Sequence, residues 1–481
     1  MPAADTGRAP TAEISREHTR VIWVLLVAAF VAILNETTMG MAIPHLVTDL
    51  GITPLGAQWV TSAFMLTMAV VIPITGFLLR RFTTRQVFLT ALVLFSAGTL
   101  IAALAPGFVV LIVARVVQAS GTAIMMPLLM TTIMDLVPPS SRGRMMGRVS
   151  VVIALAPAIG PTMSGFLLDH FGWRAIFVVV LPIALIALFI GWRWLTNVGE
   201  TTRAPIDPLS IVLSAIGFGG IVFGLSHVGE GGGASIATLV ISLVGGTIGL
   251  GLFLWRQVVL QREDDALLDL RVFTFGGFSL SMAYLFVLSL GFFGAITVVP
   301  LLLQNALGLP AAEAGLTVLP GALAMGLLGP TIGRVYDDRG PRVLLVPGSI
   351  MASAVLWFYT TVGVHTSIWI ILIAQTILSV GLAMSFTPLF TAGLGSLTPK
   401  FYSYGSAVLG TVQQVAGAAG IAVLIAVMTA VMGTFPDPES AEAVAAGSRA
   451  AFVIAAVVAS VTIVGAFLVR KPADEGMPAA H

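Results

Sequence analysis

The segment VIWVLLVAAFVAILNETTMGMAIP, residues 21–44, is a continuous apolar stretch with one acidic side chain, Glu36, inside it. A helix needs about 20 such residues to cross the hydrocarbon core of a bilayer, so this segment predicts a membrane helix. The polar residues Met1 to Arg20 precede it, and no small-residue cleavage site follows it. We therefore expect a cytoplasmic tail and a first membrane helix, and not a signal peptide.

The composition of the whole chain agrees with this reading. Of its 481 residues 57% are hydrophobic and 9% are charged, whereas a soluble domain has about 25% charged residues. A net charge of +1 indicates neither an acidic nor a basic partner. The chain contains no cysteine, which excludes a disulfide framework, a thiolate metal site and a cysteine nucleophile.

Apolar runs of about 20 residues predict an all-α integral membrane protein with fourteen transmembrane helices. Twelve spans is the weaker alternative. The predicted spans lie near 21–44, 57–79, 86–106, 108–134, 145–168, 174–195, 208–227, 234–255, 278–301, 314–332, 343–363, 367–389, 404–432 and 449–469.

The distribution of positive charge supports both the count and the orientation, because lysine and arginine gather in cytoplasmic connections. With fourteen spans, 20 of the 23 basic residues fall in the tails and the even-numbered connections, which predicts that both termini are cytoplasmic. Opposite them lie Arg174 and Arg449, and Arg115 is inside the fourth span. The 20 are Arg8, Arg16, Arg20, Arg80, Arg81, Arg85, Arg142, Arg144, Arg148, Arg193, Arg203, Arg256, Arg262, Arg271, Arg334, Arg339, Arg342, Lys400, Arg470 and Lys471.

The connections are too short for a soluble catalytic domain; the longest spans about 256–277. The chain has no phosphate-binding G-x-x-x-x-G-K-[ST] loop and no basic surface with interleaved aromatics, so we expect neither ATP-driven pumping nor nucleic-acid binding. The spans contain no paired aspartates, no His-Glu cluster and no activated serine. We expect no enzymatic activity, no cofactor and no metal, and a saturable transporter rather than a channel.

Two similar turns indicate internal symmetry. GFLLRRFTTRQ, Gly76 to Gln86, follows the second span, and GRVYDDRGPR, Gly333 to Arg342, follows the tenth. They occupy matching places in two six-helix halves if the seventh and eighth spans are an inserted pair, and secondary transporters often bind substrate between such repeats. The predicted units are a tail (1–20), an N-terminal half (21–196), the inserted pair with its flanking loop (197–256), a C-terminal half (257–470) and a C-terminal tail (471–481).

Five motifs occur in order along the chain: LNETTMGMAIP (34–44), LIVARVVQASGTA (111–123), APAIGPTMSG (156–165), FGWRAIF (171–177) and VVPLLLQNALGL (298–309). Together they resemble the fourteen-span drug:proton antiporter branch of the major facilitator superfamily, over about Val21 to Val469. The first-helix segment is similar to the pattern L-D-x-T-[IV]-V-N-V-A-L-P of that branch, and the fifth-helix segment to G-x-x-x-G-P-x-x-G-G. The resemblance implies the major facilitator fold.

The chain departs from the family pattern at two places. The turn after the second span usually reads G-x-L-x-D-R-x-G-R-[RK], but Arg80 stands in the aspartate position and Thr83 in the glycine position. The second copy keeps Asp337 and Gly340. The family's charge contact between the halves is therefore not expected at the first turn, residues 76–86. In the first-helix motif Asn35 replaces the aspartate and Glu36 follows it, as in the subgroup that includes lincomycin-resistance exporters.

Glu36 and Arg115 are the only ionisable residues that we place deep in the spans. By the 1.5 Å rise per residue Glu36 lies roughly 12 Å and Arg115 roughly 10 Å inside the outer face, where a charge costs several kcal/mol unless it is paired or hydrated. We expect both to face the interior, with Gln118 one turn from Arg115 on the same helical face. Glu36 is then the predicted proton carrier, coupled to Arg115. The alternatives are a permanent structural ion pair and direct contact with a cationic substrate.

The fifth-helix motif contains Pro157, Gly160, Pro161 and Gly165. The prolines are four residues apart, so the helix is expected to kink, and the small residues allow close helix packing. We interpret this segment as a tight contact between the halves that blocks proton leak. Ordinary small-residue packing is the alternative.

The remaining candidates line the substrate cavity or the cytoplasmic gate. Asp135 is either part of a conformation-dependent salt bridge or a solvated charge. The cavity candidates are Asn35, Met39, Trp59, Phe64, Gln118, Met126, Phe292, Phe293, Gln304, Gln413 and Gln414, and the gating candidates are Gly76, Arg80, Arg81, Arg85, Asp135, Gly333, Asp337, Gly340 and Arg342.

These observations predict proton-coupled efflux of lipophilic drug-like or antibiotic compounds by alternating access. A transporter of the same fold for one endogenous metabolite or nutrient is the alternative. We expect a monomer in a bacterial cytoplasmic membrane, whose partners are a small-molecule substrate, protons and the lipid bilayer.

Overall fold

In a bilayer the backbone N–H and C=O groups have no water to bond, so apolar segments satisfy these groups within helices. The computed structural model describes residues 15–198, 201, 207–229 and 236–472; they contain no strand. Fourteen helical segments in these ranges are long and apolar enough to cross a membrane. The predicted all-helical fold with fourteen spans is confirmed. Most of both predicted tails, with Arg8 and Arg203, lies outside the described residues.

The N-terminal half contains the first six spans. Hydroxyl side chains cap the start of three of its helices: Ser15 accepts a hydrogen bond from the His18 amide, Thr53 accepts one from the Gly56 amide, and Thr83 forms a capping box with Gln86. Thr83, the residue that departs from the family motif, therefore has a local structural role. The helices are α1 (Arg16–Thr38), α2 (Ile43–Leu50), α3 (Pro54–Arg81), α4 (Thr84–Ala103), α5 (Phe108–Leu136), α6 (Arg142–Phe171) and α7 (Arg174–Trp194).

The first span is longer than the predicted 21–44. After α1 the chain tightens into a 3₁₀ turn, Met39–Ala42, and continues as α2. Pro44 is tolerated because it lies in the first turn of α2, where its missing N–H is not needed. Gly51 then ends the segment with φ +61°, a conformation that glycine adopts without strain. Glu36 consequently lies two residues before α1 ends, directly ahead of the irregular turn.

The inserted pair consists of α8 (Pro208–Ser214), a π-helical turn (Ala215–Gly219), α9 (Gly220–Gly229) and α10 (Ile236–Leu260). Its two spans are tied together where α8 begins and α10 ends. Asp207 caps α8 through the Ser210 amide and pairs with Arg256 at 2.5 Å. Arg256 lowers the pKa of Asp207 to about 2. The pair packs against α3, and α9 also contacts α15 of the other half.

The C-terminal half repeats the six-span arrangement. A π-helical turn, Leu302–Ala306, extends its first helix, and Gly340 at φ +79° ends its second. The helices are α11 (Gly276–Leu301), α12 (Ala311–Arg339), α13 (Arg342–Tyr359), α14 (Ile368–Gly395), α15 (Tyr402–Met432) and α16 (Ala441–Leu468).

The halves meet mainly where α6 packs on α12 and where α3 packs on α15. We call the end of the bundle that carries Arg80, Arg142 and Arg334, which the sequence predicts to be cytoplasmic, the arginine-rich end. Between described residues, hydrogen bonds join the halves from this end as far as Gln414, which donates to the Met65 carbonyl at 3.4 Å. None joins the halves nearer the opposite end in that part of the chain. The contact is therefore concentrated at one end of the bundle.

Candidate functional site

A buried polar cluster surrounds Arg115 in the N-terminal half. Arg115 is fully buried, and its Nη1 donates to Gln118 Oε1 at 2.6 Å and to Asn35 Oδ1 at 3.0 Å. Gln118 in turn donates to Thr99 Oγ1 at 2.7 Å. The cluster thus connects α1, α4 and α5, and it contains the Arg115–Gln118 hydrogen bond expected from their three-residue spacing.

α3 supplies the remaining contacts of the guanidinium. Arg115 Nε donates to the Val60 carbonyl at 3.4 Å, and the Phe64 ring centroid lies 4.0 Å from Arg115 Cζ. A cation that stacks on an aromatic ring in a desolvated site gains about 2 kcal/mol, which offsets part of its cost in the membrane. Arg115 Nη2 and Asn35 Nδ2 are buried and have no hydrogen-bond partner in the described part of the chain. The cluster therefore retains two unused donors.

Glu36 lies beside this cluster but is not bonded to it. Its side chain is half-buried, and it has no hydrogen bond and no cation within 4.0 Å among the described residues. The charge of Arg115 nevertheless acts on the Glu36 carboxyl through space. A direct ion pair, one of the alternatives above, is absent from this conformation. Glu36 is thus an unpaired carboxyl next to a buried cation with a free N–H.

The fifth-helix motif packs on α1 in this conformation. A Cβ on Gly160 would lie 2.4 Å from Thr37 Oγ1, and Ser164 Oγ donates to the Thr38 carbonyl at 2.8 Å. These contacts hold the end of α1 just beyond Glu36. The close contacts between α6 and the other half lie before this motif, from Gly143 to Ala154. α6 runs as one helix through Pro157 and Pro161; Gly165 is half-buried, and the Pro161 side chain lies outside the description.

Two cavity candidates of the C-terminal half, Phe292 and Phe293, belong to an aromatic cluster. Phe292 contacts Phe293 with ring centroids 5.0 Å apart and Phe386 at 5.6 Å. Gln413 and Gln414 are half-buried on α15, as is Met126 on α5. All five of these candidates are half-buried in this conformation.

The structure separates three other candidates from this group. Met39 is fully buried in an apolar cluster with Leu46. Trp59 packs against Phe223 of α9, with ring centroids 5.6 Å apart. Gln304 is exposed in the π-helical turn that follows α11. Hydropathy places a residue at a depth in its span but not on a side of the helix, so these lateral positions were not predictable.

The arginine-rich end holds the halves together at two equivalent places. In what we call the first-half latch, Gly76 packs on Tyr404, and Arg80 Nη1 donates to Tyr404 Oη at 3.2 Å. Cζ of Arg80 lies 5.3 Å from the Tyr404 ring centroid, and Tyr404 Oη donates to the Ala266 carbonyl at 3.2 Å. Arg80, which replaces the family aspartate, therefore forms a contact of its own.

In the second-half latch, Asp337 of α12 accepts backbone hydrogen bonds from the start of α6. Its two oxygens accept from the Gly143 and Arg144 amides at 2.8 and 2.9 Å. A carboxylate is favoured here because the first N–H groups of a helix are unpaired and carry partial positive charge. Gly333 contributes close packing, since a Cβ on it would lie 2.0 Å from the Gly143 carbonyl oxygen.

Other gating candidates have smaller roles in this conformation. Arg85 donates to the Trp192 carbonyl at 2.6 Å, within its own half. Arg81 lies over the Phe82 ring, and Arg342 is exposed. Asp135 is exposed and has no hydrogen bond or salt bridge to another described residue, but the charge of Arg142 acts on it through space, so both alternatives stay open.

Sequence reasoning missed the tyrosines at the start of α15. Tyr402 accepts a hydrogen bond from Arg142 at 3.1 Å and Tyr404 one from Arg80, both across the two halves. The signal was available as two tyrosines flanking Ser403 next to a predicted cytoplasmic turn. Thr99, which anchors Gln118, carries no such signal, because a lone threonine in a span usually bonds its own helix backbone, as Thr99 does to Phe95.

Comparison with known proteins agrees with this architecture. The sequence model of the Major Facilitator Superfamily matches residues 25–421 and 282–480. The chain is 40% identical over 472 residues to the lincomycin resistance protein LmrB of Bacillus subtilis, covering 96% of this chain and 98% of that protein. It is 41% identical to LmrB of Listeria monocytogenes over 458 residues, covering 94% and 96%. The human organic anion transporter MFSD10 has a similar fold, with a TM-score of 0.64 and 16% identity over 93% of this chain and 99% of that one.

Proposed function

The chain belongs to the major facilitator superfamily, whose transporters move small molecules across membranes, and from this premise we propose that it exports lipophilic antibiotics in exchange for protons. The observation that carries the coupling is the unpaired Glu36 carboxyl beside the buried Arg115 cluster. Kinship with proteins named for lincomycin resistance supports an antibiotic as substrate.

We infer that protonation of Glu36 changes its attraction to Arg115. A deprotonated carboxylate in a medium of low dielectric is drawn to the free Nη2 of Arg115, whereas a protonated carboxyl is not. α1 carries Glu36 and contacts α6, which in turn makes the main contact with the other half. If α1 moves when Glu36 is protonated or deprotonated, the movement would be transmitted through α6 to the interface between the halves.

The described conformation supports an outward-facing state. Hydrogen bonds between the halves are concentrated at the arginine-rich end, which the charge distribution predicts to be cytoplasmic. A protein closed at that end exposes its central side chains to the opposite side. In that state Glu36 can take up a proton and a drug can leave, and rearrangement would then carry the proton inward.

The test is efflux of lincomycin and a lipophilic dye cation from cells expressing the chain, with and without a proton uncoupler. We expect the uncoupler to abolish efflux. We expect Glu36→Gln to reduce efflux to background, because a glutamine amide does not bind and release a proton as a carboxyl group does. Asp49→Asn is the matched control, since Asp49 is an exposed acid on α2. Membrane expression and drug binding are measured for each variant.

Two outcomes would overturn the proposal. Uncoupler-sensitive efflux that survives in Glu36→Gln would show that another group carries the proton. Accumulation of substrate together with protons in vesicles would instead favour the alternative, a same-fold transporter that takes up a nutrient or metabolite.

A further inference from the structure

We propose that the arginine-rich end binds the phosphate headgroup of an anionic phospholipid, held by Arg144 and Arg148 of α6 and Arg334 of α12. The three side chains and Pro330 line an open concavity of about 470 Å³ between the two helices. No acidic residue lines it. Basic pockets between membrane helices on the cytoplasmic side attract acidic lipid headgroups, so charge complementarity points to this occupant.

The guanidinium groups of this headgroup site are largely unused by the protein. Salt bridges among described residues involve only Arg256, Arg271 and Lys400 as cations. Within its own helix, Arg148 reaches the Met145 sulfur at 3.9 Å and Arg334 the Thr331 hydroxyl at 3.3 Å.

Asp337, an acid whose carboxyl interacts with Arg144, does not neutralise the pocket. Asp337 feels the charge of Arg144, but both of its oxygens accept backbone N–H groups at the start of α6. Each arginine offers five N–H donors, and the fork geometry of a guanidinium matches phosphate oxygens. The site therefore retains both charge and donors for a phosphodiester.

The depth of the site suits a lipid headgroup. Arg144 and Arg148 lie in the first two turns of α6, so Arg148 is about 9 Å along the helix from Arg142 at 1.5 Å per residue. Trp23 of α1 is 52% exposed, and its ring centroid lies 6.0 Å from Arg148 Cζ. Exposed tryptophan marks the interfacial zone of a bilayer, where arginine side chains reach toward phosphate.

The site contains residues from both halves, which gives lipid binding a conformational consequence. Its walls come together because α6 and α12 approach closely: a Cβ on Gly147 would lie 2.2 Å from the Gly329 carbonyl oxygen. If the halves separate at this end, as the proposed alternating access requires, the three arginines no longer surround one concavity. A headgroup that binds only the closed arrangement would shift the population toward it.

The experiment measures saturable binding of phosphatidylglycerol to the purified chain in phosphatidylcholine nanodiscs, by lipid-dependent thermal stabilisation. We expect Arg144→Gln/Arg148→Gln to raise the apparent dissociation constant for phosphatidylglycerol roughly 30-fold, since each arginine near an anionic surface contributes about 1 kcal/mol. The matched control is Arg193→Gln/Arg262→Gln, which removes the same charge from exposed arginines outside the concavity. Stability in pure phosphatidylcholine shows whether each variant is folded.

The possible outcomes distinguish a lipid headgroup from a soluble anion, and they test lipid binding separately from proton-coupled efflux. Equal responses of the two double variants, or no preference for phosphatidylglycerol, would overturn the headgroup site. Competition by inorganic phosphate that depends on Arg144 and Arg148 would assign the pocket to a soluble anion and overturn the lipid assignment. Because the readout is lipid binding and not efflux, the result is independent of whether Glu36 carries the proton.

Discussion

The two halves close the same end of the molecule with opposite chemistry. In the first-half latch a cation, Arg80, contacts the ring and hydroxyl of Tyr404. In the second-half latch an anion, Asp337, accepts two backbone N–H groups at the start of α6. The family aspartate is thus absent from the first turn without loss of the contact. The difference teaches that the position of the turn is repeated between the halves, while its chemistry is not.

The two latches are also expected to differ in strength. A hydrogen bond to a charged group contributes about 1.5–3 kcal/mol, and Asp337 accepts two. The first-half latch has one partly exposed cation–π contact, which contributes about 0.5–1 kcal/mol, and one hydrogen bond from a charged guanidinium, against two hydrogen bonds to Asp337. We therefore expect the second half to dominate closure. The chain has no native cysteine, so spin labels at Ser140→Cys and Arg339→Cys can report the distance between the halves at the arginine-rich end.

The largest effect is expected from the close glycine packing of the second half. In Gly333→Ala the new Cβ would lie 2.0 Å from the backbone oxygen of Gly143, which cannot move independently of its helix. Overpacking of this kind costs about 3 kcal/mol at the upper end of its usual range, so the label distance should lengthen in most molecules. Gly76→Ala is the counterpart, because its Cβ would lie 3.0 Å from the Tyr404 ring. Equal increases of the spin-label distance in Gly333→Ala and Gly76→Ala would contradict the prediction that the second-half latch is the stronger one.

The next effect tests the carboxylate itself. Asp337→Ala leaves the Gly143 and Arg144 amides without their acceptor. Because Arg144 is exposed, water can bond a freed amide and offset part of the loss, so closure should weaken by about 2 kcal/mol, or roughly 30-fold in the equilibrium. The neighbouring Asp338→Ala is the control, since Asp338 is exposed and makes no hydrogen bond to a described residue. Label distances and transport rates are compared in the two variants. An unchanged distance in Asp337→Ala would mean that glycine packing alone holds this side closed.

A smaller effect is expected from the hydroxyl of the first-half latch. Tyr404→Phe keeps the ring below Arg80 but removes the hydroxyl that joins Arg80 to the Ala266 carbonyl. Because Arg80 is only half-buried, closure should weaken by about 1.5 kcal/mol, the lower end for a hydrogen bond to a charged group. Tyr359→Phe is the matched control, because its hydroxyl bonds Gln375 within one half. It should lower thermal stability without changing the label distance. Equal shifts in the two variants would show that the readout follows stability and not closure.

The spans and the repeated turns were predictable from the sequence, whereas most contacts between helices were not. Hydropathy and charge bias specified fourteen spans and the duplicated turns, because burial in lipid constrains every residue of a span. The Arg115–Gln118 contact followed from helical spacing. The partner of Arg80 is 324 residues away in sequence, and nothing local encodes that distance. The 3₁₀ turn after Glu36 and the packing of Gly160 on Thr37 also depend on how helices dock, which hydropathy does not report.

The smallest effect concerns the loop that supports the first-half latch. Asp264 pairs with Arg271 and, at 3.1 Å, with Lys400, just before the Ala266 carbonyl that Tyr404 contacts. Hydrogen bonds from Arg271 and then Lys400 lower the pKa of Asp264.

A carboxyl with a lowered pKa in the folded state contributes stability above its unfolded value of about 4, and that contribution disappears as the pH falls through the folded value. Because the group is exposed, the contribution should be at most about 0.5 kcal/mol. We expect Asp264→Asn to lengthen the label distance slightly at neutral pH and to match the wild type in acid, with Asp265→Asn as the control. A difference between Asp264→Asn and the wild type that grows as the pH falls would have the wrong sign for this ion pair, and the support of the first-half latch would then have to come from packing against α15 alone.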